Sequence, residues 1–275
     1  MASRMWLGTD STDPTAFDAA ANWSGSTLPG AGDTVIFSPS YNNACTKNID
    51  QGTTAYGEIV VEPGFTQDIG TPTDPLTCEP AKFEYHGGGV IYADIGSAAI
   101  PVVVSSSGSG AGGTYGVYIK GTITTLSVSG GRVAVASFAG DSATLTTVRQ
   151  SGGVVLLGSG SSAPTTVTVN GGELTSKVNA ATVNVYKGSF TNGEAAQITT
   201  KLNAYGGRLI LNGSGTIADL LLDGQAEIDF TQSGVARTVT AIKNNGGTIS
   251  YDPGVITFTA ETAPDRIVRK SITVA

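Results

Sequence analysis

Apolar and polar residues alternate around a recurring glycine through the second half of the chain. The corners are Gly130-Gly131, Gly152-Gly153, Gly171-Gly172, Gly206-Gly207 and Gly246-Gly247, with degenerate versions at Lys187-Gly188 and Asp223-Gly224. Counted on the second residue of each pair, successive steps are 22, 19, 16, 19, 17 and 23 residues. Two positions after that anchor stand Val133, Val155, Leu174, Phe190, Leu209, Ala226 and Ile249. Five positions before it stand Leu126, Val148, Val167, Val183, Leu202, Asp219 and Ile242. Only Asp219 breaks that apolar file, and a slip of one residue puts Leu220 in its place. The residue just after the glycine is polar except at Val154. A period of two on both sides of a corner is the signature of a strand, a bend and a second strand.

Val, Ile and Thr dominate these segments and glycine interrupts each one, so helices fit poorly. The pattern predicts an all-β chain folded as a single-chain parallel β-helix, or β-solenoid. Each repeat is then one coil, too small to bury its own inner face, and stacking at ~4.8 Å gives a continuous apolar interior. The uneven steps point to an irregular solenoid whose extra residues leave in loops such as 158–164. Earlier segments join if Gly88 anchors residues 83–92 and if 58–65 forms a partial coil, which makes nine or ten coils. Residues 105–113, nearly all Ser and Gly, and 71–80, with three prolines, read as loops leaving the stack.

A solenoid end exposes strand edges and core, so caps are expected. Residues 1–40 form the N-terminal capping or attachment segment, 41–260 the parallel β-helix and 261–275 a C-terminal cap. In the first of these, 13–21 reads as a short helix with Asp13 as N-cap and Pro14 at the first helical position. Trp6, Phe17, Trp23 and Leu28 are expected to pack over the first coil, before a turn at 29–33 and a strand at 34–37. In the last segment Glu261, Asp265, Arg266, Arg269 and Lys270 concentrate charge, as a solvated cap or an intersubunit contact would.

Composition narrows the class. With 275 residues and 40% hydrophobic content, a sizeable core is available. Charged residues are only 13%, against roughly 25% in ordinary domains. Fifteen basic and 22 acidic residues give a net charge of -7, so the electrostatic attraction that drives nucleic-acid binding is missing, and no nucleic-acid partner is expected. Apolar runs fall far short of the ~20 residues that span a bilayer, so no membrane partner is expected either. The start, Met1-Ala2-Ser3-Arg4-Met5, lacks the apolar core of a secretory signal. Synthesis in a cytoplasm is the expectation, with an extracellular location, after removal of a leader, as the alternative. Cys45 and Cys78 lie 33 residues apart with no redox or zinc spacing, and a disulfide and two free thiols are equally compatible with them.

The N-terminal block carries a resemblance. Trp6-x-Gly8, then Asn22-Trp23-Ser24, then residues 28–37 ending in Gly32-Asp33-x-Val35-x-Phe37, resembles the opening module of β-helical surface proteins: bacteriophage virion proteins and passenger-type adhesins. The resemblance implies that a β-helix follows. With no secretory signal before it and no membrane-anchoring barrel after it, the virion member of that pair is the expectation.

Candidate chemistry is sparse. His86 is the only histidine, and its pattern is that of a strand beside a glycine corner, which points to a structural role. Arg132 and Glu173 share an outward slot two coils apart with Val154 between them, as a surface pair. Gly87-Gly88-Gly89 has no helix after it to complete a phosphate cradle, so it reads as a bend. No catalytic residues, metal ligands, cofactor-binding residues or cofactor are assigned. The expectation is a non-enzymatic bacteriophage virion protein located in the virion. Most specifically, it would be a capsid decoration or cement subunit that forms a homotrimer through the charge-poor coils of 97–131 and binds the major capsid protein. The alternative is an extracellular carbohydrate-binding or carbohydrate-cleaving β-helix, such as a tail-spike fragment or adhesin passenger. That reading requires aromatic platforms and clustered carboxylates on the coil exterior.

Overall fold

A computed structural model describes residues 2–106 and 115–261. The chain is a parallel β-solenoid of about nine turns. One wall stacks Ser3–Trp6, Thr34–Phe37, Glu58–Val61, Phe83–Tyr85, Ile100–Val104, the second part of Val117–Val128, and Ala143–Gln150. It continues through Thr166–Val169, Ala180–Val185, Ile198–Ala204, Gly215–Leu222, Arg237–Asn244 and Ile256–Glu261. The opposite wall stacks Leu76–Thr77, Ile91–Asp94, the first part of Val117–Val128, Arg132–Val135 and Val154–Leu157, then Glu173–Ser176, Ser189–Asn192, Arg208–Leu211, Glu227–Asp229 and Thr248–Ser250. Val117–Val128 serves both walls because it turns at Gly121, where φ is +109°.

The core is two inward files. On the first wall Leu126, Val148, Val167, Val183, Leu202, Leu220 and Ile242 are paired in consecutive register and all are buried. The slip at Asp219 is as the pattern required. On the second wall Val133, Val155, Leu174, Phe190, Leu209, Ile228 and Ile249 pair in the same way. Ile228, not the expected Ala226, fills that file, because two extra residues enter the turn after Gly224. The Gly88 corner slips too, and Ile91 rather than Val90 joins the stack. Outward positions on the first wall form a row of threonines: Thr125, Thr147, Thr166 and Thr182, continued by Lys201 and Asp219 as an ion pair at 3.3 Å.

The anchor glycines stack as a column at one corner. Gly153 and Gly172 have φ of +72° and +79°, and a Cβ on either would lie 2.4 and 2.3 Å from the carbonyl oxygen of the corner glycine one coil earlier. Those same carbonyls accept hydrogen bonds from the next coil, Val154 N–H to Gly131 O and Glu173 N–H to Gly153 O. Close approach of backbone to backbone therefore requires glycine here.

The N-terminal segment is not a separate lid. Ser3–Trp6 is already the first strand of the first wall, paired with Thr34–Phe37. An aromatic plug fills the interior at this end: Trp6 and Trp23 meet edge-on at 5.1 Å, Phe17 and Trp23 at 4.7 Å, and Phe37 lies 6.2 Å from both tryptophans. The helix expected over 13–21 does not form. Asp13 accepts from the Thr15 amide and hydroxyl as an N-cap would, but the Phe17 amide, the first that a helix would bond back to Asp13 O, donates to Lys47 O on a neighbouring coil, and only isolated turn bonds form. Ala20–Asn22 and Ser24–Ser26 make single 3₁₀ turns instead. Leu28 lies outside this plug and is 42% exposed.

Residues 71–80 are a loop except at Leu76–Thr77, which joins the wall. Leu76–Thr77 pairs with Ala93 and Asp94, and Leu76, Cys78 and Pro80 are buried. Cys45 and Cys78 are both free and buried. Most of the Ser/Gly loop at 105–113, and the C-terminal cap with Asp265, Arg266, Arg269 and Lys270, lie outside the described residues; Glu261 closes the last strand.

Candidate functional site

The motif residues of the N-terminal block have structural partners. Asn22 is buried and donates to Asp13 O and Ala16 O while accepting from the Asp10 amide. Trp6 and Trp23 donate their indole N–H to Asn43 O and Phe17 O. Ser24 Oγ accepts from the Met5 amide, and Asp33 accepts from the Ala2 and Gly30 amides and faces Arg4 at 3.6 Å. Backbone hydrogen bonds from Ala2 and Gly30 are the main reason the Asp33 carboxyl is held below the usual carboxylate range. Of the four proposed capping or attachment residues, Trp6, Phe17 and Trp23 meet in the plug, and Leu28 stands apart in solvent.

His86 lies in a chain of polar contacts. Its Nδ1 contacts Ser105 Oγ on the next coil, its Nε2 is 3.5 Å from Glu84 Oε2, and Glu84 is in turn paired with Lys82. The Lys82 ammonium is the main cause holding Glu84 below its ordinary pKa. The order Ser, His, Glu is that of a nucleophile relay. However, the nearby amides are already engaged. Those of His86, Gly88 and Ser105 donate to Val61, Phe65 and Tyr85 carbonyls, so none of the three is free to stabilise an oxyanion. Lys82 pairs with Glu84, and the contact between His86 and Ser105 joins adjacent coils. Arg132, Val154 and Glu173 occupy one outward column in consecutive register, as the spacing implied.

A different feature stands out on the second wall. Tyr92 and Tyr118 are register partners on adjacent coils, and their rings stack at 4.8 Å and 6°. Phe138 lies against Tyr118 at 5.0 Å and 29°, and 6.2 Å from Tyr92. Tyr115 meets Tyr118 edge-on at 6.0 Å and carries the Arg132 guanidinium over its face at 5.3 Å. Phe138 remains 42% exposed. Burial raises the Tyr92 and Tyr115 phenols above their ordinary pKa, so both stay neutral through the physiological range.

Charged groups rim these rings. Lys120 Nζ lies 3.6 Å from Asp94 and 3.4 Å from Asp141. Asp141 also accepts from the Phe138 amide at 3.0 Å, and its own amide donates back to Phe138 O, which locks the turn presenting that ring. Beyond Lys120 runs a polar groove of about 320 Å³, bounded by Asp94, Ser97, Lys120, Thr122, Ser142 and Thr144 and notched by Gly96, Gly121 and Gly140. Sequence reasoning missed this shelf because Tyr92, Tyr118 and Phe138 are spread over 46 residues; their convergence follows only once the coil register is known.

Among the described residues, no group of three or more His, Cys, Asp or Glu side chains is placed to hold a metal ion. No helix among them is long and apolar enough to cross a membrane. The fold defines the class as a parallel β-solenoid. No protein-family model, curated protein or solved structure matches the chain.

Proposed function

We propose that this chain is a non-enzymatic structural protein of a bacteriophage virion: a capsid decoration or cement subunit that forms a homotrimer and binds the major capsid protein. The observation that carries the reading is the first wall's exterior. The row Thr125, Thr147, Thr166 and Thr182, beside a column in which Ser127, Thr168 and Asn184 accompany a single charge, Arg149, makes a low-charge side able to pack about a threefold axis. Low charge on that side reduces the repulsion three subunits of net charge -7 would otherwise meet. It begins within the 97–131 coils and extends beyond them. The resemblance of the N-terminal block to virion proteins supports the same reading.

Sedimentation equilibrium of the purified chain tests assembly, with Thr147→Lys and Thr166→Lys as wall variants. A trimeric mass that the variants reduce to a monomer is the expected result. Gradient purification of virus particles tests location, and the chain should band with them in stoichiometric amount. A monomer at micromolar concentration that is absent from the particle band removes both halves of the reading. An extracellular carbohydrate-binding solenoid is the second reading, and the observation favouring it is the Tyr92, Tyr118 and Phe138 shelf.

A further inference from the structure

We infer that the shelf of Tyr92, Tyr118 and Phe138, with the groove beyond Lys120, is a binding site for a neutral hexopyranose polysaccharide. The proposal rests on the carbohydrate reading and is independent of where the chain is displayed. One face of a pyranose presents weakly positive C–H bonds, which the negative face of an aromatic ring attracts, while its hydroxyls require donors and acceptors close by. Both halves are present side by side here. Phe138 offers an exposed ring supported from behind by Tyr118. The next step along the surface reaches the Lys120 ammonium, the Asp94 and Asp141 carboxylates, and the hydroxyl side chains of Ser97, Thr122 and Thr144.

Three features point to a ligand rather than to an incidental surface. First, the exposed ring is held: the paired hydrogen bonds between Phe138 and Asp141 fix its turn, so little freedom is lost on binding. Second, the groove adjoins the rings, since Lys120 borders both the groove and the surface formed by Tyr92, Tyr118 and Phe138. Gly140, with open space around it, leaves that part of the groove free of a side chain. Third, the charges select. Two carboxylates around one ammonium leave a local net negative charge on a chain already at -7, which repels polyuronates and sulfated chains and admits neutral ones.

Native affinity electrophoresis tests this, since the chain's own negative charge carries it into the gel. The probes are galactomannan, mixed-linkage β-glucan, hydroxyethyl cellulose and dextran as neutral polymers, with polygalacturonate as the anionic control. The expected result is retardation by at least one neutral polymer and none by polygalacturonate. Phe138→Ala should weaken that retardation by about fivefold or more, and Phe138→Tyr should retain it. Phe138→Tyr should melt as the parent does, and Phe138→Ala should melt within a few degrees of it, having lost only its stacking on Tyr118 and Tyr92. Retardation that Phe138→Ala leaves unchanged overturns the site while leaving the carbohydrate reading intact. No retardation by any of the polymers overturns both. Stronger retardation by polygalacturonate overturns the neutral-ligand assignment. A change of oligomeric mass in Phe138→Ala, without any glycan effect, makes the shelf a protein contact and overturns the proposal.

Discussion

Replacing Gly172 with alanine asks two things of the corner column at once. The backbone there has φ of +79°, where an L-residue is strained by about 1–2 kcal/mol. The new methyl would also sit 2.3 Å from Gly153 O, 2.7 Å from the Gly152 carbonyl carbon and 2.7 Å from Gln150 Nε2. Gly153 O cannot retreat freely, because it accepts from both the Glu173 amide and the Gln150 side chain. Opening the coil spacing enough to clear the contact weakens those bonds, at about 1 kcal/mol each. The sum is about 3–4 kcal/mol, a fall in melting temperature of roughly 6–16 °C for a chain of this size. Two controls separate the contributions. Gly140 has φ of +87° and open space within 4 Å of where a methyl would be added, so Gly140→Ala should show only the conformational loss of about 1–2 kcal/mol. Gly234 has open space and no positive φ, so Gly234→Ala should be neutral or stabilising by about 0.4–1 kcal/mol. Urea and thermal unfolding followed by circular dichroism would rank the three. If Gly172→Ala is no worse than Gly140→Ala, coil-to-coil contact at the corner is not what demands glycine.

Val167→Asp or Leu209→Asp places an unpaired carboxylate in a file that is 0% exposed and should abolish cooperative unfolding, whereas Thr168→Asp, outward and beside Arg149, should fold; equal behaviour of all three would contradict the register. Cys45 and Cys78 are buried, and burial raises both thiols above their ordinary pKa, so a thiol reagent should label neither in the native protein and both after unfolding; rapid native labelling would refute this. Asp10, Asp13 and Asp33 of the first coils all have carboxyls held below the ordinary value, Asp13 chiefly by Lys47 and Asp10 by the Asp13 and Thr12 amides. Their stabilisation is therefore fully present above the ordinary aspartate value of about 3.9 and is lost as pH falls through the lower folded values. The melting temperature should be flat from about pH 5 to 7 and drop below about pH 4, with a smaller drop in Asp33→Asn; an identical acid profile for that variant would remove Asp33 from the account.

The solenoid was legible because its corner glycines and inward positions repeat under one physical rule, close backbone approach and alternating burial. Legibility failed where that rule met local hydrogen bonding. Asp13-Pro14 carries a helix-start pattern and Asp13 does cap the Thr15 amide, yet the Lys47 carbonyl takes the Phe17 amide that would have closed the first helical turn. The prolines of 71–80 signal a loop, but Leu76 and Thr77 still reach a parallel partner. Polar interior positions were invisible as well. Gln150 stands in an inward file between Val128 and Val169 because its amide donates to Gly153 O and Glu173 O, and no sequence period marks such a tenant. The aromatic shelf was hidden for a different reason: aromatic content counts rings, and only the coil register shows that three of them meet.

The aromatic plug sits at the N-terminal end of the described stack, so it is synthesised before every later coil of that stack. Every later strand of the first wall pairs with one already made, from Thr34–Phe37 on Ser3–Trp6 to Ile256–Glu261 on Arg237–Asn244. At roughly 5–20 residues per second, a new coil of this length emerges every few seconds, far slower than a strand takes to dock on a finished edge. Translation and stacking therefore run in the same direction. The coil that holds the buried tryptophans is a template for the strand that follows it, and each completed coil becomes the template for the next, so this part of a nascent chain need never hold more than about one unpaired coil at a time.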